Sequence, residues 1–329
     1  MDKQNQWDNV RLAIEEDITK RGVKRGEFVV SAMTRAIANA LQYFVRQGGS
    51  SELPALDIGT GTAYHSALLC ASGLKRIISV DINKQAIMFA KERLAQYFSD
   101  IAQFNESDFE HYLKLSEAIP QSINLYNYAL DELGKFPNID YAVVSFNPPI
   151  LYPLLSTEFD KPATHGVYFE NKKVEEKAHD LVYKLYETVA QNNLKKGAHI
   201  VCVWANLNRH LVELAPFTDN TPAYVHPAEI LENWFDFKFV NEPESFDDFY
   251  CHKTVLGAGF FNQSETGKLY TNNLRNGIEN NYYSQLMVAS EEENLSGTYF
   301  HFGVLHLEKV SDSANEFRLI NGSSKGLVD

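Results

Sequence analysis

The chain has 329 residues, 44% of them hydrophobic, which is ample for one large core. Acidic residues outnumber basic ones 43 to 30, a net charge of −13. That balance disfavours a bare polyanion as the main partner, because neutralising phosphates needs clustered Lys and Arg.

One local exception is KRGVKRG, Lys20 to Gly26, with four cations close together; it reads as a solvated loop. The three cysteines, Cys70, Cys202 and Cys251, are too few and too widely spaced for a disulfide framework or a zinc site. Cys70 and Cys202 lie in apolar segments and read as small core residues. The first ten residues lack a basic-then-apolar signal pattern. No apolar run approaches the ~20 residues of a membrane span. The expectation is a soluble cytoplasmic protein.

In chain order, residues 7 to 47 read as helices, with AMTRAIANALQYFV placing apolar side chains three and four apart. PALDIGTGTAYHSALLCASG reads as a short strand, a glycine turn and a helix. RIISVDIN is a buried strand, KQAIMFAKERLAQYF an amphipathic helix, and YAVVSF a strand apolar on both faces. KVEEKAHDLVYKLYETVAQNNLKKG is predicted to be one long helix with Gly197 as its C-cap, followed by the strand AHIVCVWA. Doubly apolar strands alternating with helices predict a mostly parallel sheet covered on both faces.

The last part alternates more. FDFKFV and TYFHFGVLHLEKV read as two further strands. Residues 242–297 between them are acidic, aromatic and Asn-rich, and are expected to form a lid or substrate-specific insertion. A second insertion is expected at about 110–136, and residues 311–329 read as a flexible tail. The organisation is therefore residues 1–50, a helical segment over the cofactor site; residues 51–310, the main domain; then the tail.

The chemistry concentrates at three strand ends. Gly59, Thr60 and Gly61 form a tight turn that opens a helix, where free N–H groups can meet a ligand. A dinucleotide fingerprint would place a third glycine where Tyr64 stands, so a pyrophosphate loop is disfavoured. With Asp57 two positions before the first glycine, the stretch instead resembles the first motif of class I S-adenosylmethionine (SAM) methyltransferases. Asp81 ends the next strand, 81 − 61 = 20 positions after the second glycine, where a carboxylate can accept from ribose hydroxyls. The resemblance implies that role for Asp81 with Ile82 beside it, and an adenine contact at Asp108 with Phe109 along the ring. It also implies a Rossmann-like α/β fold with a mostly parallel seven-stranded sheet, helices on both faces, N-terminal helices and a C-terminal insertion. Phe28 reads as a core residue, and His65, after the glycine loop, as a helix-surface residue.

SFNPPILYP ends another strand of the same sheet. Pro148 and Pro149 remove two backbone donors and hold the chain extended. The Asn147 amide oxygen and the Pro148 carbonyl then form a pair of acceptors, which suits a planar NH2 group. The stretch resembles the amino-methyltransferase branch marked by N/D-P-P-Y/F/W, whose members methylate glutamine amides of release factors or the amine of adenine. The resemblance covers about residues 50–205 and implies that Asn147 and Pro148 orient the acceptor, with Asn147 also beside the cofactor. Ile150 departs from it: an aliphatic side chain cannot stack on a flipped base as an aromatic does. With Pro149, Ile150, Tyr152 and His165 as candidate substrate-binding residues, a small-molecule or peptide/protein acceptor is expected. The expected partners are that acceptor and a second copy in a homodimer, with neither nucleic acid nor membrane. Two alternatives stay open: an adenine amino-methyltransferase acting on RNA or DNA, and a non-catalytic SAM-binding partner protein. No histidine group has metal-ligand spacing, so no metal is expected.

Overall fold

The computed structural model describes residues 7–17, 30, 32–49, 52–81, 84–98, 102–104, 122–127, 140–148, 182, 185–187, 194–207, 226–257, 297–313 and 315–325. Lys20 to Gly26, Phe28, Ile82, Asp108, Phe109, Pro149, Ile150, Tyr152 and His165 lie outside these residues, as does most of each expected insertion.

Helix α1 spans residues 7–17 and α2 spans Ala32–Arg46. Ala36, Ile37, Ala40, Leu41 and Phe44 recur at helical spacing along α2 and are all buried, which is what fixes it as a helix against the sheet. Gly48 stops α2 in a left-handed conformation, φ 80°, which glycine adopts without steric cost. The central strands are β1 (Ala55–Ile58), β2 (Arg76–Asp81), β5 (Tyr141–Phe146) and β6 (Leu194–Leu207). Helix α3 (Tyr64–Ala71) connects β1 to β2, and α4 (Lys84–Tyr97) connects β2 to β3 (Ala102–Phe104). Every residue of β1 and of β5 is buried, because helices cover both faces.

The sheet holds ten strands among the described residues, with β3-β4-β2-β1-β5-β6 all parallel. Strand β9 (Gly297–Lys309) pairs antiparallel with β6 and carries β8 (His252–Gly257) and β10 (Glu316–Leu319) on its other edge. Strand β7 (Lys238–Phe239) closes the end beside β10, after helix α5 (Pro227–Phe235); the short helix α6 (Phe246–Phe249) precedes β8. The expected mostly parallel sheet is thus present, with one strand, β4, added inside it and β8 and β10 added beside β9. One core lies under α1 to α4, with Trp7, Ile14, Phe44 and Val201 among its members. The other lies on the opposite face, with Tyr186, Trp204, Phe237 and Phe317. Cys70 and Cys202 are buried within these cores and Cys251 is exposed, all three as free thiols.

Three readings differ from the sequence expectation. Gly197 is no helix C-cap. Strand β6 begins at Leu194, and the pairing with β5 jumps from Tyr141↔Leu194 to Val143↔His199. The extra residues form a bulge in which Gly197 takes φ 84°. Ser122–Asn127, inside the expected 110–136 insertion, forms β4 and is inserted between β3 and β2. Glu316–Leu319, inside the expected flexible tail, forms β10, because Phe317 and Leu319 alternate inward and are buried. The turn after it is also tied down: the Ser324 carbonyl accepts from Asn39 Nδ2 at 3.1 Å, and Lys325 Nζ donates to Glu244 Oε2 at 2.7 Å. No helix among the described residues is long and apolar enough to cross a membrane.

Candidate active site

The chain leaves β1 for β2 on one side and later returns to β5 on the other. In parallel sheets, ligands bind beyond the C-terminal strand ends at this reversal. Here Ile58 is in register with Val80 and with Phe146. The glycine turn, Asp81 and Asn147 therefore emerge side by side.

The turn after β1 is unusual in its backbone. Gly59 has φ 63°, Gly61 φ 46° and Ala63 φ 57°. An alanine held left-handed stores strain, of the order of 1–3 kcal/mol, of a kind that concentrates at ligand sites. Three hydrogen bonds hold the turn: Thr60 N to the Val80 carbonyl at 3.0 Å, Ala63 N to the Thr60 carbonyl at 2.7 Å, and Gly61 N to Asp81 Oδ2 at 2.9 Å. A Cβ on Gly59 would meet the Phe146 ring at 3.7 Å and the Asn147 carbonyl at 3.9 Å, ordinary contacts. Glycine is needed there for its conformation, and the turn lies directly against the Asn147 strand end.

Asp57 sits behind the turn rather than facing a ligand. It is 1% exposed and accepts from Thr60 Oγ1 (2.8 Å), Ser66 Oγ (2.6 Å) and Ser145 Oγ (2.9 Å). The Ser79 hydroxyl lies 2.6 Å from Ser66 Oγ and extends the chain of hydroxyls. Burial alone would raise the Asp57 carboxyl; the His65 ring beside it and the Ser66 and Thr60 hydroxyls hold it below the usual carboxylate range. Asp57 thus fastens the turn, through Thr60, to the Asn147 strand, through Ser145.

His65 is also corrected. It is 6% exposed, with Nδ1 3.6 Å from Asp57 Oδ1 and Nε2 3.0 Å from the Thr34 carbonyl. Tyr64, where a dinucleotide loop would have glycine, is buried, and its hydroxyl donates to Glu15 Oε1 at 2.5 Å. Arg11 and Arg35 donate to the same carboxylate at 3.1 and 3.2 Å, which clamps α1 and α2 to the start of α3. Burial and the Glu15 charge both push the Tyr64 hydroxyl well up, so it stays a donor.

Asn147 follows β5. Its Nδ2 donates to Thr34 Oγ1 at 3.3 Å, while its Oδ1 is buried without a hydrogen-bond partner among the described residues. Buried carboxamide oxygens are ordinarily satisfied, so an orphan one calls for a donor from elsewhere. Pro148 is buried beside it. The structure thus gathers Asp57, Gly59, Thr60, Gly61, Asp81, Asn147 and Pro148 at one edge. Sequence reasoning missed Thr34, Ser66 and Ser145; the signal for the last two was a polar residue within an otherwise apolar strand or helix.

A prediction follows for Asp57. Asn in its place turns one acceptor oxygen into a donor facing buried donors, a cost of roughly 2 kcal/mol. Asp57→Asn is expected to lower the melting temperature and to weaken SAM binding at least about tenfold, measured by thermal denaturation and calorimetry. Because the folded carboxyl is held below its unfolded value, its stabilisation is complete above pH ~4 and is lost as pH falls below that. The difference between wild type and variant should narrow in that acid range.

Residues 50–236 match the methyltransferase-domain family. No curated protein sequence matches the chain. Among solved structures, a proposed methyltransferase from Bacillus halodurans C-125 is similar at 9% identity, over 84% of this chain and 99% of that one, with a TM-score of 0.47. A SAM-dependent methyltransferase from Clostridium acetobutylicum ATCC 824 is similar at 11% identity over 54% of this chain, which spans 52% of that protein, with a TM-score of 0.33. An rRNA methylase from Streptococcus thermophilus is similar at 14% identity, over 50% and 67% of the two chains, with a TM-score of 0.30. Similarity this low decides nothing about the acceptor. The residues at the strand ends fit a nucleoside-containing cofactor: a strained glycine turn whose backbone a ligand can approach closely, and a carboxylate, Asp81, at the end of β2. The chain belongs to the methyltransferase-domain family.

Proposed function

We propose that the protein methylates an amide or amine nitrogen of a small molecule or peptide. The observation that carries this reading is the Asn147 carboxamide, with Nδ2 held by Thr34 and Oδ1 buried and unpartnered beside the glycine turn. SAM supplies an electrophilic sulfonium methyl when bound. The chain's own part is positional. Asn147 Oδ1 accepts one N–H of the acceptor's NH2 group and the Pro148 carbonyl accepts the other. Both bonds put electron density back on a nitrogen whose lone pair is otherwise delocalised, and they fix its direction. Alignment and preorganised dipoles supply most of the acceleration in such a transfer. The methylated nitrogen is acidic and releases its proton to water, so no histidine or carboxylate base is needed. Asp81 holds the ribose in this reading, and the glycine turn holds the methionine end.

The test is incubation with methyl-labelled SAM and a fractionated cell extract. Label is expected in the small-molecule or the peptide and protein fractions. Label in nucleic acid would replace this reading with adenine methylation. No label in any fraction would leave a SAM-binding partner protein.

A further inference from the structure

We infer that Thr34 is a positioning residue that aims the Asn147 carboxamide at the acceptor, and that the buried Asp57–His65 pair holds Thr34 in place. The inference rests on the acceptor role proposed for Asn147. A carboxamide has two nearly isosteric orientations, and they present opposite chemistry. With Oδ1 towards the site it accepts from an NH2 group. Turned over, it presents its own NH2, which repels the acceptor's. In the structure Thr34 Oγ1 accepts from Asn147 Nδ2 at 3.3 Å, so the first orientation is the one present, tied to α2 by this bond.

Thr34 is on the first turn of α2, 113 residues from Asn147 in the chain, so something must hold these two elements in register. The Thr34 carbonyl faces His65 Nε2 at 3.0 Å, and the other nitrogen of that ring lies 3.6 Å from Asp57 Oδ1. Asp57 Oδ1 also accepts from Ser145, two residues before Asn147. The path Asn147–Thr34–His65–Asp57–Ser145 therefore closes on the strand that carries Asn147. Its members are side chains and backbone of α2, α3, β1 and β5. The same Asp57 carboxylate grips Thr60 in the glycine turn through Oδ2. The orientation of the acceptor clamp and the shape of the cofactor turn are thereby set from one buried carboxylate.

The test compares Thr34→Val, which keeps the shape but removes the acceptor oxygen, with Thr34→Ser, which keeps the oxygen. Methyl transfer from labelled SAM into the extract fraction labelled by wild type should fall about 10- to 100-fold in T34V, the loss that misplacement of a reacting group brings. The SAM affinity should not change, and T34S should recover most of the rate. A role confined to packing would leave T34S no better than T34V, and equal rates in all three proteins would overturn the inference. A second measurement does not depend on the acceptor. In protein labelled with 15N at asparagine, with the Asn147 side-chain signal identified through Asn147→Ala, the Nδ2 protons should exchange with water faster in T34V than in wild type or T34S. Unchanged exchange would overturn the inference even if no fraction takes label. If Asn147→Ala itself keeps full transfer, the acceptor role fails instead, whatever Thr34 does.

Discussion

Asn147→Ala is expected to lower methyl transfer about 10²–10³-fold while leaving SAM affinity within about threefold, the loss typical of removing one preorganised dipole. The reason is that the side chain divides its work. Nδ2 bonds within the protein, to Thr34, and Oδ1 has no partner among the described residues. The glycine turn, proposed to hold the cofactor, is fastened without it, by Val80, Asp81 and Asp57. Removing the carboxamide therefore strips the proposed acceptor clamp and leaves the turn. Transfer assays under SAM saturation and calorimetry with SAM separate the two. Loss of both together would mean that Asn147 serves cofactor binding rather than the acceptor.

Mild acid is expected to destabilise the fold strongly, and two buried histidines, His199 and His226, carry the effect. Burial pushes the His199 imidazole down to about 4, with Glu308 partly opposing it, and pushes His226 down to about 4. In each case the unfolded chain binds a proton more readily than the folded one. The stabilisation is complete above the unfolded value near 6.5 and is lost as pH falls from there to about 4. Each shift corresponds to about 3 kcal/mol. The structure shows why protonation is disfavoured. His226 caps α5 by accepting from Ala228 N through Nδ1 at 3.0 Å, which a protonated nitrogen cannot do. His199 Nδ1 lies 2.8 Å from His306 Nε2, so only one of the two nitrogens can carry a proton. Burial and the His199 charge lower His306 as well. Denaturant unfolding between pH 7 and pH 4.5 should show a fall of several kcal/mol. His226→Asn keeps a capping oxygen without a titrating ring and should flatten part of that slope. A variant slope identical to wild type would contradict the assignment.

Much of this architecture is legible in the sequence, for an identifiable reason. Strands such as YAVVSF are apolar on both faces, and α2 repeats its apolar residues at helical spacing, so each local pattern admits one placement. The glycine turn, Asp81 and the Asn147 strand end are legible for the same reason, because each closes a doubly buried strand. What escapes is decided by pairing over long distance. Leu194 to Gly197 looks like the polar end of a helix, yet it starts a strand by bulging against β5. SINLYN has polar residues at half its positions, and its place as β4 comes from backbone pairing on both edges. Phe317 and Leu319 are too short a signal until β9 lies beside them. His65 looks exposed one residue into a helix, and only the fold brings Asp57 and Thr34 to its two nitrogens. Asp57 shows the same limit. Its motif marks the site, but its burial under three hydroxyls makes it the fastening of the turn.

The most direct measurement is where the methyl group goes. The enzyme is supplied with SAM carrying a 13C methyl group and an extract grown on 15N, and the product is examined by NMR for a one-bond coupling between the new methyl carbon and nitrogen. The coupling is expected, and it should disappear with Asn147→Ala. A labelled methyl group on oxygen or carbon, with no coupling to nitrogen, would contradict the account.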